Sequence, residues 1–470
     1  MTRQPTPTAR TRAARPREEI PLHRYREVRL SNPTDPLSAV AQLTRSDLLG
    51  THVVYERGHC WHVAAAPLGE VVVDSAEVRD TFGGAESASP WTGTPWPQLR
   101  EALERVPVHG WNAYGWAAFE LASGTAEDGA LAHLFVPRLE FRITEREVLV
   151  RATDRSLLDA AKLEVQRTVG TGAQPQPAAI DVRAADDPAY RERVARAVSQ
   201  IRSGRLQKVV LSRTVDLPFR VDMTATYVRG RAQNTPARSF LVDLGGWQAA
   251  GFSPETVVEV APSGHASTQP LAGTRARQGD EDTDHALREE LTTDPKEVYE
   301  HATSVKLAVD ELSQVGDPGA TRVSEFLAVK QRGSVQHLAS RVDTELGGRP
   351  CWDALAALFP AVTASGIPKA PACELIREAE PHPRGLYAGA VLMAGSDGDL
   401  DAALVLRAIY QRDGNAWLRA GAGVVSDSNP EREHEETCEK LRSIAPHLVP
   451  DRDRPAGAEG AGQPASLRTG

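Results

Sequence analysis

Residues 391–406 read VLMAGSDGDLDAALVL. Two short apolar runs flank Ser-Asp-Gly-Asp. Asp-Gly between apolar runs is a hairpin signal, because glycine enters the left-handed backbone of a tight turn without a Cβ penalty. A hairpin makes its two strands antiparallel. The same pattern continues outward. GLYAGAVLMAGS leads into the turn, and LDAALVLRAIYQR and AWLRAGAGVVSDS follow it as strands. Upstream, LQKVVLSRTVDLPF, SFLVDLGGWQAAGFS, TVVEVAPSG and GSVQHLASRVDTEL read as strands, while KEVYEHATSVKLAVDELSQV and CWDALAALF read as helices.

A further helix starts at Asp187-Pro188, a cap followed by proline at the first helical position. Its stripe is Tyr190, Val194, Ala197, Val198 and Ile201, and Gly204 ends it. From about Val28 to Asp154, six short segments bounded by Gly, Asp and Pro read as strands: THVVYE, HCWHVAAA, GEVVVDS, GWNAYGWAAFEL, ALAHLFVPRLEFRI and EVLVRA. LDAAKLEVQRTV reads as a helix and GTGAQPQPAA, residues 170–179, as a flexible loop. No fixed-period repeat is present. The pattern predicts an α+β fold: a single large domain of stacked, mainly antiparallel sheets with helices outside. It spans residues 21–450, with a strand-rich part at 21–180 and a second part at 187–448. The Arg/Pro-rich residues 1–20 and the Gly-rich residues 451–470 read as disordered tails.

Composition narrows the function. The 470 residues are 41% hydrophobic and 25% charged, with a net charge of −9. A nucleic-acid binder would carry a basic stripe, and none is seen. No apolar run approaches the ~20 residues of a membrane helix. The four cysteines, Cys60, Cys351, Cys373 and Cys438, show no paired spacing, which fits reduced thiols in a cytoplasmic protein.

The closing stretch NPEREHEETCEKL, residues 429–441, carries five glutamates. With Asn429 as cap and ~100° per residue, Glu433, Glu436, Lys440 and Ile444 share one face. Glu435, Glu439 and Arg442 share the opposite, solvated face, with Glu439 and Arg442 spaced for an ion pair. A second helix, TTDPKEVYEHATSV, has Asp294 as cap. Glu297 there fits either a capping box or a site, whereas Glu300 has no capping role. Val298, Ala302, Val305, Val309 and Leu312 form its expected buried stripe, with Glu297, Glu300, His301 and Ser304 beside it. Two facing i,i+3 glutamate pairs repel unless a cation lies between them. Oxygen-only ligands favour a hard ion of the magnesium type.

Other positions stay open on their own. Lys208 within an apolar strand sits either at an edge or desolvated, where it would suit a base. Glu255 after Ser-Pro is a cap, exposed, or functional. His337 in a strand is a core histidine or a site residue, and Tyr387 packs or binds. Arg407 interrupts an apolar strand and needs an anion partner. The glycine turns PLAGTRAR and RAGAGVV let backbone N–H groups approach an anion.

In order, GFSPE, PLAGTR, KEVYEH, GSVQHL, FPAVTASGIPKA, RGLYAGAV, LRAGAGVV and PEREHEETCEKL resemble the chorismate-utilising enzymes of menaquinone, siderophore and tryptophan biosynthesis. The resemblance runs from about Asp187 to His447, and within that superfamily it is nearest the salicylate synthases. It implies that Glu300 and Glu436 ligate magnesium, with Glu297 and Glu433 assisting directly or through water. It implies Lys208 as the base that activates water, Glu255 as the acid for the departing hydroxyl, and His337 lining the site. Gly273, Thr274, Tyr387, Arg407, Gly421, Ala422, Gly423 and Lys440 would hold chorismate. The implied product is salicylate plus pyruvate by way of isochorismate, for a siderophore or related natural product. An isochorismate synthase is the alternative, and a non-catalytic chorismate binder the remaining one. No membrane, nucleic-acid or glutamine amidotransferase partner is implied, and the expected state is a monomer.

Overall fold

A computed structural model describes residues 23–84, 86–125, 129–167, 176–185, 187–333 and 335–451. Residues 1–20 and 452–470 of the expected tails, and residues 170–175 of the expected loop, lie outside the described residues. Among the described strand pairings all are antiparallel, except the short parallel pair of His23–Arg24 with Val108–His109. One limb of the sheet runs from Cys60–Val73 through His52–Arg57, Arg238–Leu244, Trp247–Ser253, Ala408–Arg412 and Asn415–Val424 to Lys208–Leu217. The other runs from Asn112–Ala117 through Ala390–Gly395, Leu400–Leu404, Thr256–Val260 and His265–Thr268 to Val335–Glu345. Ala132–Ile143 joins them by pairing with both Cys60–Val73 and Asn112–Ala117. Strands of the N-terminal part therefore hydrogen-bond directly to strands of the C-terminal part, which makes one domain.

Period-2 alternation sorts side chains between two cores. Val53, Tyr55, Phe240, Val242 and Ala249 face a central core shared with Tyr114, Val258 and Leu392 of the other limb. Val54, Leu241 and Ala250 face outward onto a second core. Helices Pro36–Thr44, Arg155–Gln166, Met223–Gln233 and Pro430–Leu441 cover it with Val40, Ala161, Tyr227 and Leu441. No described helix is long and apolar enough to cross a membrane. All four cysteines are unpaired.

The 391–406 reading holds: Ala390–Gly395 and Leu400–Leu404 form the antiparallel hairpin. Other elements depart from the expectations. HCWHVAAA and GEVVVDS merge into one strand, Cys60–Val73, bent where Ala66 adopts φ 54°. The expected strand through residues 400–412 is two strands, broken at Arg407 with φ 53°. Leu400–Leu404 belongs to one limb and Ala408–Arg412 to the other, so the break is where the chain crosses between them. Helix Glu281–Thr293 was not expected. It buries only Asp284 and Leu291, so its sequence carries no apolar stripe.

The stripe of helix Pro295–Ser313 is also rotated from expectation. His301, Ser304, Val305, Ala308, Glu311 and Leu312 are buried, whereas Val298, Ala302 and Val309 are only half-buried. The first turns of this helix line a cavity with Lys296, Glu297 and Glu300, and the buried polar residues His301, Ser304 and Glu311 meet Ser340, Lys208 and Lys369. On helix Pro430–Leu441 the solvated ion pairs differ too. Arg442 pairs with Glu435 at 3.2 Å, and Glu439 with Arg432 at 2.8 Å, each seven residues apart.

Candidate active site

One cavity is lined by four strands, Lys208–Leu217, Leu271–Ala276, Val335–Glu345 and Asn415–Val424, and by the two glutamate helices. Lys208 opens its strand between two partners: it pairs with Ile367, and its neighbour Val209 pairs with both Gly366 and Val424. It is therefore not at an edge and is 3% exposed. Its Nζ lies 2.8 Å from the Glu300 carboxylate. Gly423 sits against this pair. A Cβ there would stand 2.8 Å from Glu300 Oε1 and 3.4 Å from Lys208 Cε, so only glycine leaves room. A Cβ on Gly421 would lie 2.7 Å from the Tyr387 hydroxyl. The two glycines share the cavity face of their strand. Ala422 between them turns its methyl to the opposite face and is not in the lining.

Gly273 occupies a bulge at φ 82°, where a Cβ would approach Glu297 Oε2 to 3.1 Å. Thr274 and His337 face each other across the ladder, with Oγ1 and Nδ1 2.9 Å apart. The other ring nitrogen of His337 is buried without a hydrogen bond. Burial, then the nearby cations of Arg407 and Lys440, push its pKa well below the usual histidine range, so the ring is neutral.

Glu255 is neither a cap nor exposed. It is 2% exposed, in the bend between strands Trp247–Ser253 and Thr256–Val260. The Leu271 N–H donates to its Oε2 at 2.9 Å, and the Thr363 hydroxyl donates to its Oε1. Burial nevertheless raises its carboxyl to about 7. It can therefore carry a proton near neutral pH, as a general acid must.

Arg407 extends into the cavity from the break between the limbs. Among the described residues its guanidinium makes no hydrogen bond or ion pair. Burial lowers its pKa to about 10 against the pull of Glu436, Tyr387 and Glu255. An unpaired, largely desolvated guanidinium is a ready anion site. Lys440 supplies a second cation. Its ammonium donates to the Gly421 carbonyl at 2.8 Å and pairs with Glu436 at 2.8 Å. Burial works against that charge, but Glu436 holds the pKa above its ordinary value.

Each of the four glutamates implied as metal ligands has its own cation: Glu297 with Arg275 at 3.0 Å, Glu300 with Lys208, Glu436 with Lys440, and Glu433 with Lys296 at 3.6 Å. Glu297 does not close a capping box, because the Asp294 N–H donates to the Glu290 carbonyl instead. Glu297, Glu300 and Glu436 line the cavity, whereas Glu433 sits behind it at 0% exposure. Both Glu433 oxygens lack hydrogen bonds, and burial followed by the Glu436 charge raises its pKa. Burial raises Glu297 as well, with Glu300 and Glu436 adding to it. Among the described residues no three acidic, His or Cys side chains converge closely enough to bind one metal ion. The donor set still fits a hard divalent ion: neighbouring carboxylates help to raise Glu297 and Glu433, and Glu433 meets only Lys296 at 3.6 Å, with no hydrogen bond. Sequence reasoning missed Lys296, Arg275 and Thr363. Thr363 sits inside the quoted TASGIPKA, but nothing local ties it to Glu255.

Residues 51–446 match the chorismate binding enzyme family, and the chain belongs to it. It is 43% identical over 427 residues to a salicylate synthase of Mycolicibacterium paratuberculosis, covering 88% of this chain and 94% of that one. It is 34% identical over 476 residues to anthranilate synthase component 1 of Streptomyces coelicolor, covering 92% and 89%. The fold matches that of the menaquinone-specific isochorismate synthase of Escherichia coli (TM-score 0.69, 22% identity, 91% of this chain and 96% of that one). It also matches anthranilate synthase component I of Streptococcus pneumoniae (TM-score 0.68, 24% identity, 83% and 92%).

Proposed function

We propose that the protein is a magnesium-dependent salicylate synthase that converts chorismate by way of isochorismate to salicylate and pyruvate. The observation that carries this reading is the buried Lys208, which shares one cavity with the protonatable Glu255. Hydration of the ring needs a base for water and an acid for the leaving hydroxyl. Lys208 takes a proton from water, the oxygen bonds to C2, and Glu255 gives its proton to the hydroxyl leaving C4. Arg407, Lys440 and the glycine-lined N–H groups hold the substrate carboxylates, and Tyr387 and His337 bound the ring and side chain. Of the eight substrate-binding residues implied by the sequence, Ala422 contributes backbone only.

Glu300 and Glu436 would ligate magnesium, with Glu297 beside them and Glu433 acting from behind. When bound, the ion neutralises and orients the ring carboxylate. Lys208 acts as a base only as the neutral amine, so its ammonium has to leave Glu300 and give up a proton before it can take one from water. Pyruvate then leaves by an intramolecular hydrogen shift within isochorismate, for which no further base is required. The four unpaired cysteines support a cytoplasmic enzyme. The reading further includes a monomer that needs no amidotransferase subunit and feeds a siderophore or related pathway.

Product identification tests the proposal. Chorismate with magnesium should give salicylate, read by fluorescence, and an equal amount of pyruvate. Isochorismate alone would favour the second reading, and anthranilate formed from added ammonia would overturn both.

Activity should also report Glu255. Its acid form is present below its pKa and is lost as pH rises through about 7. Initial chorismate consumption, measured across pH, should therefore fall tenfold per unit on the alkaline side. A rate flat through that window contradicts the acid role.

Magnesium should stabilise the protein, because the ion binds a carboxylate cluster that folding alone assembles. At a hundredfold excess over Kd the gain is about 2.7 kcal/mol. It is read as a Tm rise and as slower hydrogen exchange in helix Pro430–Leu441. Glu436→Gln should remove most of the gain, and an unchanged response in that variant would exclude Glu436 as a ligand.

A further inference from the structure

Behind the cavity lies a buried ionic cluster that the reaction chemistry above does not use. Glu380 and Arg384, four residues apart, and Arg419 from the Asn415–Val424 strand have side chains 1–3% exposed. Glu380 Oε1 accepts from the Arg384 guanidinium at 2.6 Å and from the Ser212 N–H at 2.7 Å. Its Oε2 accepts from Arg384 Nε at 2.9 Å and from Arg419 at 2.6 Å. The Ser212 hydroxyl closes the ring: it donates to Glu380 at 2.9 Å and accepts from Arg419 Nε at 2.9 Å. Every charged atom is paired, and fork-like guanidinium bonds to one carboxylate leave little rotational freedom.

Arg419 itself lines the cavity, and the cluster supports the wall at three further points. Arg384 donates to the Val210 carbonyl at 2.6 Å and to the Ala364 carbonyl at 2.7 Å, and both residues line the cavity. The third point is Tyr387. The guanidinium carbons of Arg384 and Arg419 each lie 5.5 Å from the centre of its ring. The Tyr387 hydroxyl makes no hydrogen bond among the described residues, so packing and these cation–π contacts set the ring's position.

We propose that the Glu380–Arg384–Arg419 cluster, with Ser212, is the positioning device that holds Tyr387 against the substrate side chain and thereby decides whether isochorismate is converted or released. The inference rests on the salicylate synthase reading. The physical reason is that the two steps have different demands. Hydration is driven by Lys208 and Glu255, which the cluster does not touch. Elimination uses no catalytic group, so its rate depends on how tightly the wall confines the side chain to the reactive conformer. None of the cluster residues touches the reacting atoms. They are positioning residues.

The test compares Ser212→Ala and Arg419→Lys with the wild type on chorismate and magnesium, quantifying isochorismate and salicylate separately. Ser212→Ala deletes one hydroxyl and keeps all charges. Arg419→Lys keeps the charge and loses the fork. In each variant that retains a cooperative thermal transition, the ratio of released isochorismate to salicylate should rise by roughly tenfold, with chorismate consumption reduced much less. If Arg419→Lys does not fold, Ser212→Ala decides alone. An unchanged ratio, or an equal fall in both steps, overturns the inference and leaves the functional reading standing. Wild-type protein that consumes chorismate without producing salicylate overturns the functional reading, and this inference with it.

Discussion

Lys208→Ala should lower chorismate consumption by about 10²–10⁴-fold, the usual worth of a positioned general base. Lys208 is held at the start of a strand with partners on both sides, 3% exposed, and its ammonium is 2.8 Å from Glu300. Alanine removes the only amine on that part of the wall besides Lys296 and Lys440, which are engaged with Glu433 and Glu436. Neither of those can reach the same water without abandoning its own carboxylate. The substitution also leaves Glu300 without its cation, so magnesium should bind this variant more tightly than it binds the wild type. Titration calorimetry separates the effects: tighter metal binding with lost turnover is the expected pair. Undiminished chorismate consumption would end the assignment of Lys208 as the base.

Arg407→Ala should weaken transition-state binding, read from the ratio of kcat/KM values, by about 2–5 kcal/mol, the cost of truncating one partner of a buried charge pair. Here the partner arrives with the substrate, since no described residue pairs with this guanidinium. The protein alone carries an uncompensated charge in a desolvated place, and burial has already pulled its pKa down to about 10. Removing it should therefore leave the free enzyme at least as stable as before, while Tm in the presence of substrate or product falls below the wild-type value. A buried arginine serving the fold would behave oppositely, with its loss destabilising the free protein. A lowered Tm without ligand, together with an unchanged KM, would place Arg407 in the scaffold.

Much of the site was readable as local pattern. The glutamate helices, their caps at Asp294 and Asn429, and the face shared by Glu433, Glu436 and Lys440 follow from helical spacing alone. The pairing of Lys208 with Val210 on one strand face follows from period 2, and both line the cavity. Other features were hidden because their cause lies on another segment. Glu255 carries no local sign of burial, which comes from the Leu271 and Thr363 segments closing over it. The inward face of helix Pro295–Ser313 is polar because distant Ser340, Lys208 and Lys369 meet His301, Ser304 and Glu311 there, whereas a count of apolar residues turns the helix toward Val298 and Val309. Arg442 and Glu439 are spaced to pair with each other, yet each finds a better-aligned partner two turns away on the same helix.

By itself, the sequence determined the antiparallel class, the hairpin around its Asp-Gly turn, and which residue types could do acid, base and cation chemistry. These are properties of adjacent residues: turn geometry, periodicity and side-chain pKa range. Only the tertiary structure decided that the strand through Arg407 breaks where the chain passes from one sheet limb to the other. It also decided that Glu433 stands behind the cavity instead of in its wall, that Ala422 faces away, and that Glu297, Glu300, Glu433 and Glu436 are each matched to their own cation. Those outcomes depend on which distant segments share a dry interior. There every unpaired charge is costly, and partners are chosen by proximity in space.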